Sequence, residues 1–349
     1  MKKPEVAIII SIAAIVGLGL IYVFSGETIE DRLINQSDFY PDYVEIENPS
    51  GFINSEEFQI ADYIGEKIIL IDFMTYTCVN CQRTFPYLNS WYEKYEDDGL
   101  IIIGIHTPEF AFEKNIDNVQ KALDGFGIKF PVVLDNDYST WRAFENKYWP
   151  RKYLINKDGK IVYDHIGEGA YDKTEAKIVE LLGELNNSDI EMEEGEVVGV
   201  QNVNFSKIGT RETYLGSSRI EYINNLPNRN CFGQICNYVK PENIPSNTYS
   251  LVGDWKIDSE ESILEGESGS IFIKFTAAKV NLVAGGNVSA EIYLDGELVS
   301  SGADVQNGIV NFSDTTLYNL IDLGDEYTEH LLEIRSNVKG LEAFAFTFG

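Results

Sequence analysis

The chain has 349 residues, a formal net charge of −29, 44% hydrophobic and 12% aromatic residues, and four cysteines. That is ample apolar material for packed cores and too much chain for one typical domain, which excludes a disordered protein and points to two domains. A surface this acidic repels phosphate backbones, so nucleic acid is excluded as a partner, and two close cysteine pairs are too few for a disulfide scaffold.

Lys2 and Lys3 lie in residues 1–5, and residues 6–24 (VAIIISIAAIVGLGLIYVF) carry no charge. An apolar helix of about 20 residues spans the hydrocarbon core of a bilayer. With lysines before the run and Glu27, Glu30 and Asp31 after it, residues 1–5 are expected in the cytoplasm and the bulk of the chain on the extracytoplasmic side. A cleaved signal peptide has a shorter apolar core and a small-residue cleavage site. This run is longer and ends in Ile-Tyr-Val-Phe-Ser-Gly, so a retained single-pass anchor in the cell membrane is expected. Either form reaches a compartment that permits disulfides. Residues 25–45 are mixed and polar and are read as a linker.

Residues 46–185 alternate between strand and helix signals. Lys67–Phe73 and Leu100–Ile105 are apolar runs of strand length, suited to buried parallel strands. Gln82–Tyr95 has helical length, with Phe85, Leu88 and Trp91 roughly on one face. A second helix is expected over Ile116–Phe126, a short strand over Pro131–Asp135 and a short helix over Ser139–Asn146. Tyr153–Ile155, Lys157-Asp-Gly159 and Lys160–Tyr163 read as a hairpin, and Thr174–Leu185 as a closing helix. The expected fold is an α/β sheet with helices on both faces.

Cys78-Val-Asn-Cys81 sits where a strand hands over to a helix. A thiolate at a helix N-terminus meets unpaired N–H groups and the positive end of the dipole, which favours ionisation of the first thiol. The second thiol, one turn further in, can attack the mixed disulfide and release the partner. Cys78 is therefore read as the nucleophile and Cys81 as the resolving cysteine of a redox-active disulfide. Structural zinc uses the same spacing but wants two further ligands nearby. Here the other cysteines are far along the chain and the histidines are His106, His165 and His330, so no metal is expected.

Around this motif the chain resembles the thioredoxin superfamily. Asp72 lies in D-F-M-T-Y-T-C, Pro86 follows Cys81 in the helix, and Trp149-Pro150 precedes the hairpin. The resemblance implies that Asp72 accepts the proton of the second cysteine, and that Pro150 is a cis-proline. It also implies that the backbone beside Pro150 pairs with substrate, with Trp149 and Tyr76 lining the site. TYTCVNCQRTFPYL, GIHTPEF, DNDYSTWRAFENKYWP and HIGEGAY resemble the TlpA/DipZ-type extracytoplasmic thioredoxin domain over roughly residues 60 to 185. Glu212-Thr-Tyr-Leu-Gly-Ser-Ser-Arg219 resembles the region that follows that domain in the DipZ family. That family often carries a CcdA-type membrane electron-transfer domain, so a CcdA/DsbD-type donor is expected here in trans. His106 and Glu109 follow the second strand and either tune the cysteines or belong to the loop; His165 is read as a hairpin-end residue. Tyr76, Trp141, Tyr148 and Trp149 either form an apolar collar round the thiols or pack as core.

Residues 186–245 are read as linker and connector, with Cys231 and Cys236 close enough across a glycine turn for a structural disulfide. Residues 246–349 carry short β-rich runs and the hairpin signal Asp295-Gly296, which predicts an all-β sandwich. This part resembles the carbohydrate-binding-module-like C-terminal module of the DipZ family; a glycan is one implied ligand, with Tyr249 and Trp255 as aromatic candidates.

The leading functional expectation is a membrane-anchored thiol–disulfide oxidoreductase without cofactor, acting on protein thiols and disulfides. The family resemblance favours reduction. A peroxiredoxin-like thiol peroxidase is a second reading: its P-x-x-x-T-x-x-C pattern is present at Thr75 and Cys78, but Ile71 occupies the proline position. A surface glycan- or partner-binding protein with a scaffold thioredoxin domain is a third.

Overall fold

The computed structural model describes residues 40–192, 197–199 and 203–349. The expected anchor at residues 6–24 lies outside the described residues, as do residues 1–5 and the linker up to residue 39. Among the described residues no helix is long and apolar enough to cross a membrane.

The first domain is a six-stranded sheet of order β1-β4-β3-β2-β5-β6. In chain order it comprises β1 (Gly51–Ile53), β2 (Ile68–Met74), α1 (Val79–Tyr95), β3 (Leu100–His106) and α2 (Ile116–Gly125). Then come β4 (Val132–Leu134), α3 (Ser139–Ala143), β5 (Arg151–Ile155), β6 (Ile161–Ile166) and α4 (Tyr171–Asn186). The continuous apolar runs of β2 and β3 are buried at every position because both faces of the sheet are covered. Leu70 and Met74 pack with α1, α2 and α4, while Ile69, Ile71 and Phe73 pack on the opposite face with Ile60, Phe144 and Trp141. β2 runs parallel to β3 and antiparallel to β5.

The end of the expected linker belongs to this domain. Tyr43 N–H donates to Gly159 O at 2.8 Å, Ile161 N–H donates to Pro41 O at 2.9 Å, and the Glu45 carboxylate accepts from Ile60 N–H at 2.7 Å. These residues have no periodicity of their own; edge pairing orders them.

The second domain is a 12-stranded all-β sheet. Its strands are β7 (Thr213–Tyr214), β8 (Ile235–Tyr238), β9 (Thr248–Ile257), β10 (Ser262–Ala277), β11 (Lys279–Gly285) and β12 (Val288–Leu294). They continue as β13 (Glu297–Leu298), β14 (Val305–Gln306), β15 (Ile309–Phe312), β16 (Thr316–Asp322), β17 (Thr328–Ser336) and β18 (Glu342–Phe348). Two separate packed sheets were the expectation; the strands instead form one continuous, barrel-like sheet. The 16-residue β10 is the reason: Ser262 and Ile263 pair with β18, while Gly269–Ala277 pairs with β17, with an irregularity between Leu264 and Gly269. One strand thus serves both halves. The connector expectation is also corrected, since β7 pairs with β18 and β8 with β9. Cys231 and Cys236 form a disulfide with Cα atoms 5.7 Å apart. Tyr249 and Trp255 are both 0% exposed in the core of the sheet, so neither presents an aromatic platform to a glycan.

Candidate active site

Chain direction and sheet order place the cysteines. β2 ends at Met74 beside His106 of β3, and Thr75-Tyr76-Thr77 lead into Cys78, the N-cap of α1. The Cys78 Sγ accepts from Cys81 N–H at 3.2 Å, so a sulfur fills the place that a serine or aspartate oxygen usually takes at a cap. Cys78 is half-buried and Cys81 is fully buried. Cys81 Sγ donates to Cys78 Sγ at 2.6 Å, so a small closure brings the pair to the about 2.05 Å of a disulfide. Burial, and then the neighbouring Cys78, push the Cys81 thiol well above its ordinary pKa. The outer sulfur is placed to attack, while the inner one keeps its proton until a base removes it.

Asp72 is fully buried in β2, directly across from Lys152 in β5. Lys152 Nζ lies 3.2 Å from Asp72 Oδ1, and both side chains are out of solvent. Burial raises the Asp72 carboxyl above the usual range and Lys152 opposes the rise. The charge of Asp72 in turn acts on Cys81. A carboxylate that takes up a proton readily, held beneath a thiol that must lose one, suits general-base work. Reading the sequence did not single out Lys152. The available signal was a lysine two positions beyond Pro150, in a strand whose following residues Tyr153, Leu154 and Ile155 are apolar. A cation buried in such a strand needs an anion opposite it.

Because β5 runs antiparallel to β2, its start lies at the end of the sheet from which the cysteine turn emerges. The Trp149–Pro150 peptide just before β5 is cis. Trp149 donates its ring N–H to Thr107 O at 3.1 Å and packs on Trp141, with ring centres 4.3 Å apart. Tyr148 points outward, 48% exposed. Of the expected collar, Trp141 and Trp149 are together. Tyr76 is elsewhere: it is buried, stacks on His106, and its hydroxyl donates to Thr315 O of the second domain. A side chain held between domains is not open to a substrate chain, which corrects its expected role. His106 is fully buried and burial lowers it to about 3, so it stays neutral near pH 7. His165 lies on the hairpin strand β6, where its Nε2 meets Glu168 O at 3.3 Å.

Glu113 is a further residue that sequence reading missed. It is buried below the cysteine turn, where its carboxylate accepts from the Thr77 hydroxyl at 2.5 Å and from Phe110 N–H at 3.0 Å. Burial, then repulsion from Glu109, raise it to about 7. It ties the residue preceding Cys78 to the segment that meets the second domain.

That contact is the largest departure from the sequence reading. Val79, between the two cysteines, is buried in a cluster with Phe110, Val283, Leu317, Phe344 and Ala345. Phe344 packs edge-on against Phe112 and Phe110 at 4.9 and 5.3 Å. Above this cluster Glu109 accepts from the Tyr214 hydroxyl at 2.7 Å and from Arg219 at 2.6 Å. Arg219 also stacks on Tyr214 with its carbon 3.8 Å from the ring centre. The Glu212–Arg219 string therefore has a physical role: it clamps the β domain to the loop after β3.

Comparison with known proteins agrees with this geometry. Residues 52–182 match the family described as Redoxin, and residues 210–349 match the Thioredoxin like C-terminal domain. Protein DipZ of Mycobacterium tuberculosis is 32% identical over 286 residues, covering 81% of this chain and 39% of DipZ. The chain thus spans about two fifths of that relative's length. NHL repeat-containing protein 2 of Homo sapiens is 37% identical over 131 residues, covering 36% of this chain and 18% of that protein. Thiol-disulfide oxidoreductase ResA of Halalkalibacterium halodurans is 27% identical over 181 residues, covering 52% of this chain and 97% of ResA. The chain therefore carries a redoxin domain followed by a thioredoxin like C-terminal domain.

Proposed function

We propose that this protein is a thiol–disulfide oxidoreductase that reduces disulfides of other proteins. The observation that carries the reading is the half-buried Cys78 sulfur on the cap of α1, with the buried Cys81 sulfur 2.6 Å behind it. The Cys78 thiolate attacks one sulfur of a substrate disulfide. That S–S bond breaks, the other substrate sulfur leaves and takes a proton, and a mixed disulfide forms. Cys81 then gives its proton to Asp72 and attacks the Cys78 sulfur. The substrate's first sulfur departs as a thiolate, and a Cys78–Cys81 disulfide remains. Two electrons have passed to the substrate, so an external dithiol donor must restore the pair. A membrane protein of CcdA/DsbD type, acting from a separate chain, supplies them in this proposal, with residues 6–24 anchoring the protein on the extracytoplasmic side.

Disulfide exchange is favoured over peroxide reduction because the second sulfur already touches the first, and because Ile71 in the centre of β2 replaces the proline of the peroxidase pattern. The test is the equilibrium reduction potential of the Cys78–Cys81 couple in dithiothreitol buffers. A value near about −270 mV supports a reductase, and one near about −120 mV an oxidant that installs disulfides. Absence of a reversible two-electron couple overturns the proposal. In parallel, Cys81→Ser should accumulate mixed disulfides and Cys78→Ser should form none.

A further inference from the structure

The two domains leave a cleft of about 270 Å³ beside the cysteines. One wall is Val79 and Asn80, the dipeptide between Cys78 and Cys81; the other includes Phe205, Ile208, Phe348 and Glu212. Small-molecule pockets begin at about 300 Å³, so this space suits one long side chain better than a cofactor. Its lining mixes those apolar side chains with polar Asn80, Thr210 and Thr347 and the Glu212 carboxylate, which matches an amphipathic cationic side chain whose stem lies on carbon and whose head meets polar groups and the charge.

The neighbouring charges leave Glu212 as the acceptor. Arg83 is committed to Glu168 at 2.8 Å and to Asn80 at 2.6 Å. Arg219 is committed to Glu109 at 2.6 Å. Among the described residues Glu212 forms no ion pair within 4 Å; the Tyr214 hydroxyl and the more distant Arg219 only partly compensate its charge, and its side chain reaches solvent. The two domains crowd it nonetheless: desolvation, then repulsion from Glu109, raise its carboxyl to about 7. Tyr214 and Arg219 already lower it in part, and a cation bound here would offset the remaining rise.

Resting on the disulfide-exchange reading, we infer that this cleft is a substrate subsite that receives a lysine or arginine flanking the cysteine under attack, with Glu212 as its counter-charge. A substrate sulfur joined to Cys78 brings its neighbouring residues within a few ångströms of Val79, since each residue spans at most about 3.6 Å. The β domain thereby helps to select the substrate.

The test uses the reduced full chain and three symmetrical peptide disulfides with lysine, alanine or glutamate flanking each cysteine. About 0.15 M salt screens the general attraction of the acidic surface for cations. The lysine peptide should react about tenfold faster than the alanine peptide, the size of one charge-assisted contact. Glu212→Gln should remove most of that difference, and folding should tolerate it because the amide keeps the size of the side chain and an acceptor oxygen for the Tyr214 hydroxyl. Equal rates for the three peptides, or a lysine preference undiminished in Glu212→Gln, would overturn the subsite while leaving disulfide exchange intact. Failure of all three peptides to react, with both thiols titrating as reduced, would overturn the exchange reading and the subsite with it.

Discussion

Asp72 and Lys152 face each other across the β2–β5 pair, 3.2 Å apart and withdrawn from solvent beneath the resolving cysteine. Removing either partner strands a buried charge, which typically costs about 3–5 kcal/mol. Lys152→Met and Asp72→Asn should therefore each lower stability by about that amount in urea unfolding. The double variant Asp72→Leu/Lys152→Met should regain most of it. It should not regain the resolving step, because the proton acceptor is gone. The mixed disulfide should then live about 100-fold longer in quenched-flow mass spectrometry. A double variant that resolves at the wild-type rate would remove Asp72 from the mechanism.

Glu113 makes stability depend on pH with a definite sign. Its ordinary value is 4.5 and burial raises it to about 7 in the folded protein. The folded state therefore holds a proton that the unfolded state has lost. The contribution is fully present below about pH 4.5 and is lost as pH rises through 7, a change of about 3 kcal/mol. Glu113→Gln lacks this titration. Wild type minus variant, measured by urea unfolding at pH 5 and pH 8, should fall by roughly that amount at the higher pH. A difference that stays constant would show that the folded carboxyl titrates normally.

Phe344 joins the β domain to Val79 and to the aromatic pair Phe110 and Phe112. Truncating a buried phenylalanine costs about 3–5 kcal/mol. Phe344→Ala should lower the melting temperature and loosen the contact that covers Val79. Alkylation of Cys78 by iodoacetamide should become faster. A stability loss without faster alkylation would mean that the interface does not govern access to the thiol.

The Cys231–Cys236 bridge closes a short loop, with a sequence separation of 5. Loop-closure entropy for such a loop is worth about 2 kcal/mol. Cys231→Ser/Cys236→Ser should unfold at lower urea by that amount while exchanging disulfides at the wild-type rate. A loss of exchange activity at full folding would give the second pair a redox role.

Some of this protein was decided by local chemistry and could be read directly. The apolar runs of β2 and β3 read as buried strands because they are seven residues or fewer, rich in isoleucine and bounded by polar residues or glycine. Cys78 and Cys81 had to share the first turn of a helix, because spacing along an α-helix is fixed by its own hydrogen bonds. Cys231 and Cys236 were close enough in sequence to meet across one turn. Those relationships span a few residues each, and the chain alone determined them.

The remainder depends on pairings between distant residues. Lys152 lies 80 positions from Asp72, and only the antiparallel register of β5 on β2 brings them together. The fragments at residues 213–214 and 235–238 look like connector because two to four residues carry no usable periodicity; their partners β18 and β9 make them strands. Tyr76 read as a substrate contact until the second domain supplied Thr315 for its hydroxyl. The packing of that domain on Val79 follows from shape and charge fitting across more than 100 residues of chain, through Phe344 with Phe112 and Glu109 with Arg219. Such contacts leave no periodic mark in sequence, since each is set by the fold of both partners. The helix start and its two sulfurs were therefore legible in the residues, whereas the buried ion pair behind them and the second domain that walls the site were settled only in three dimensions.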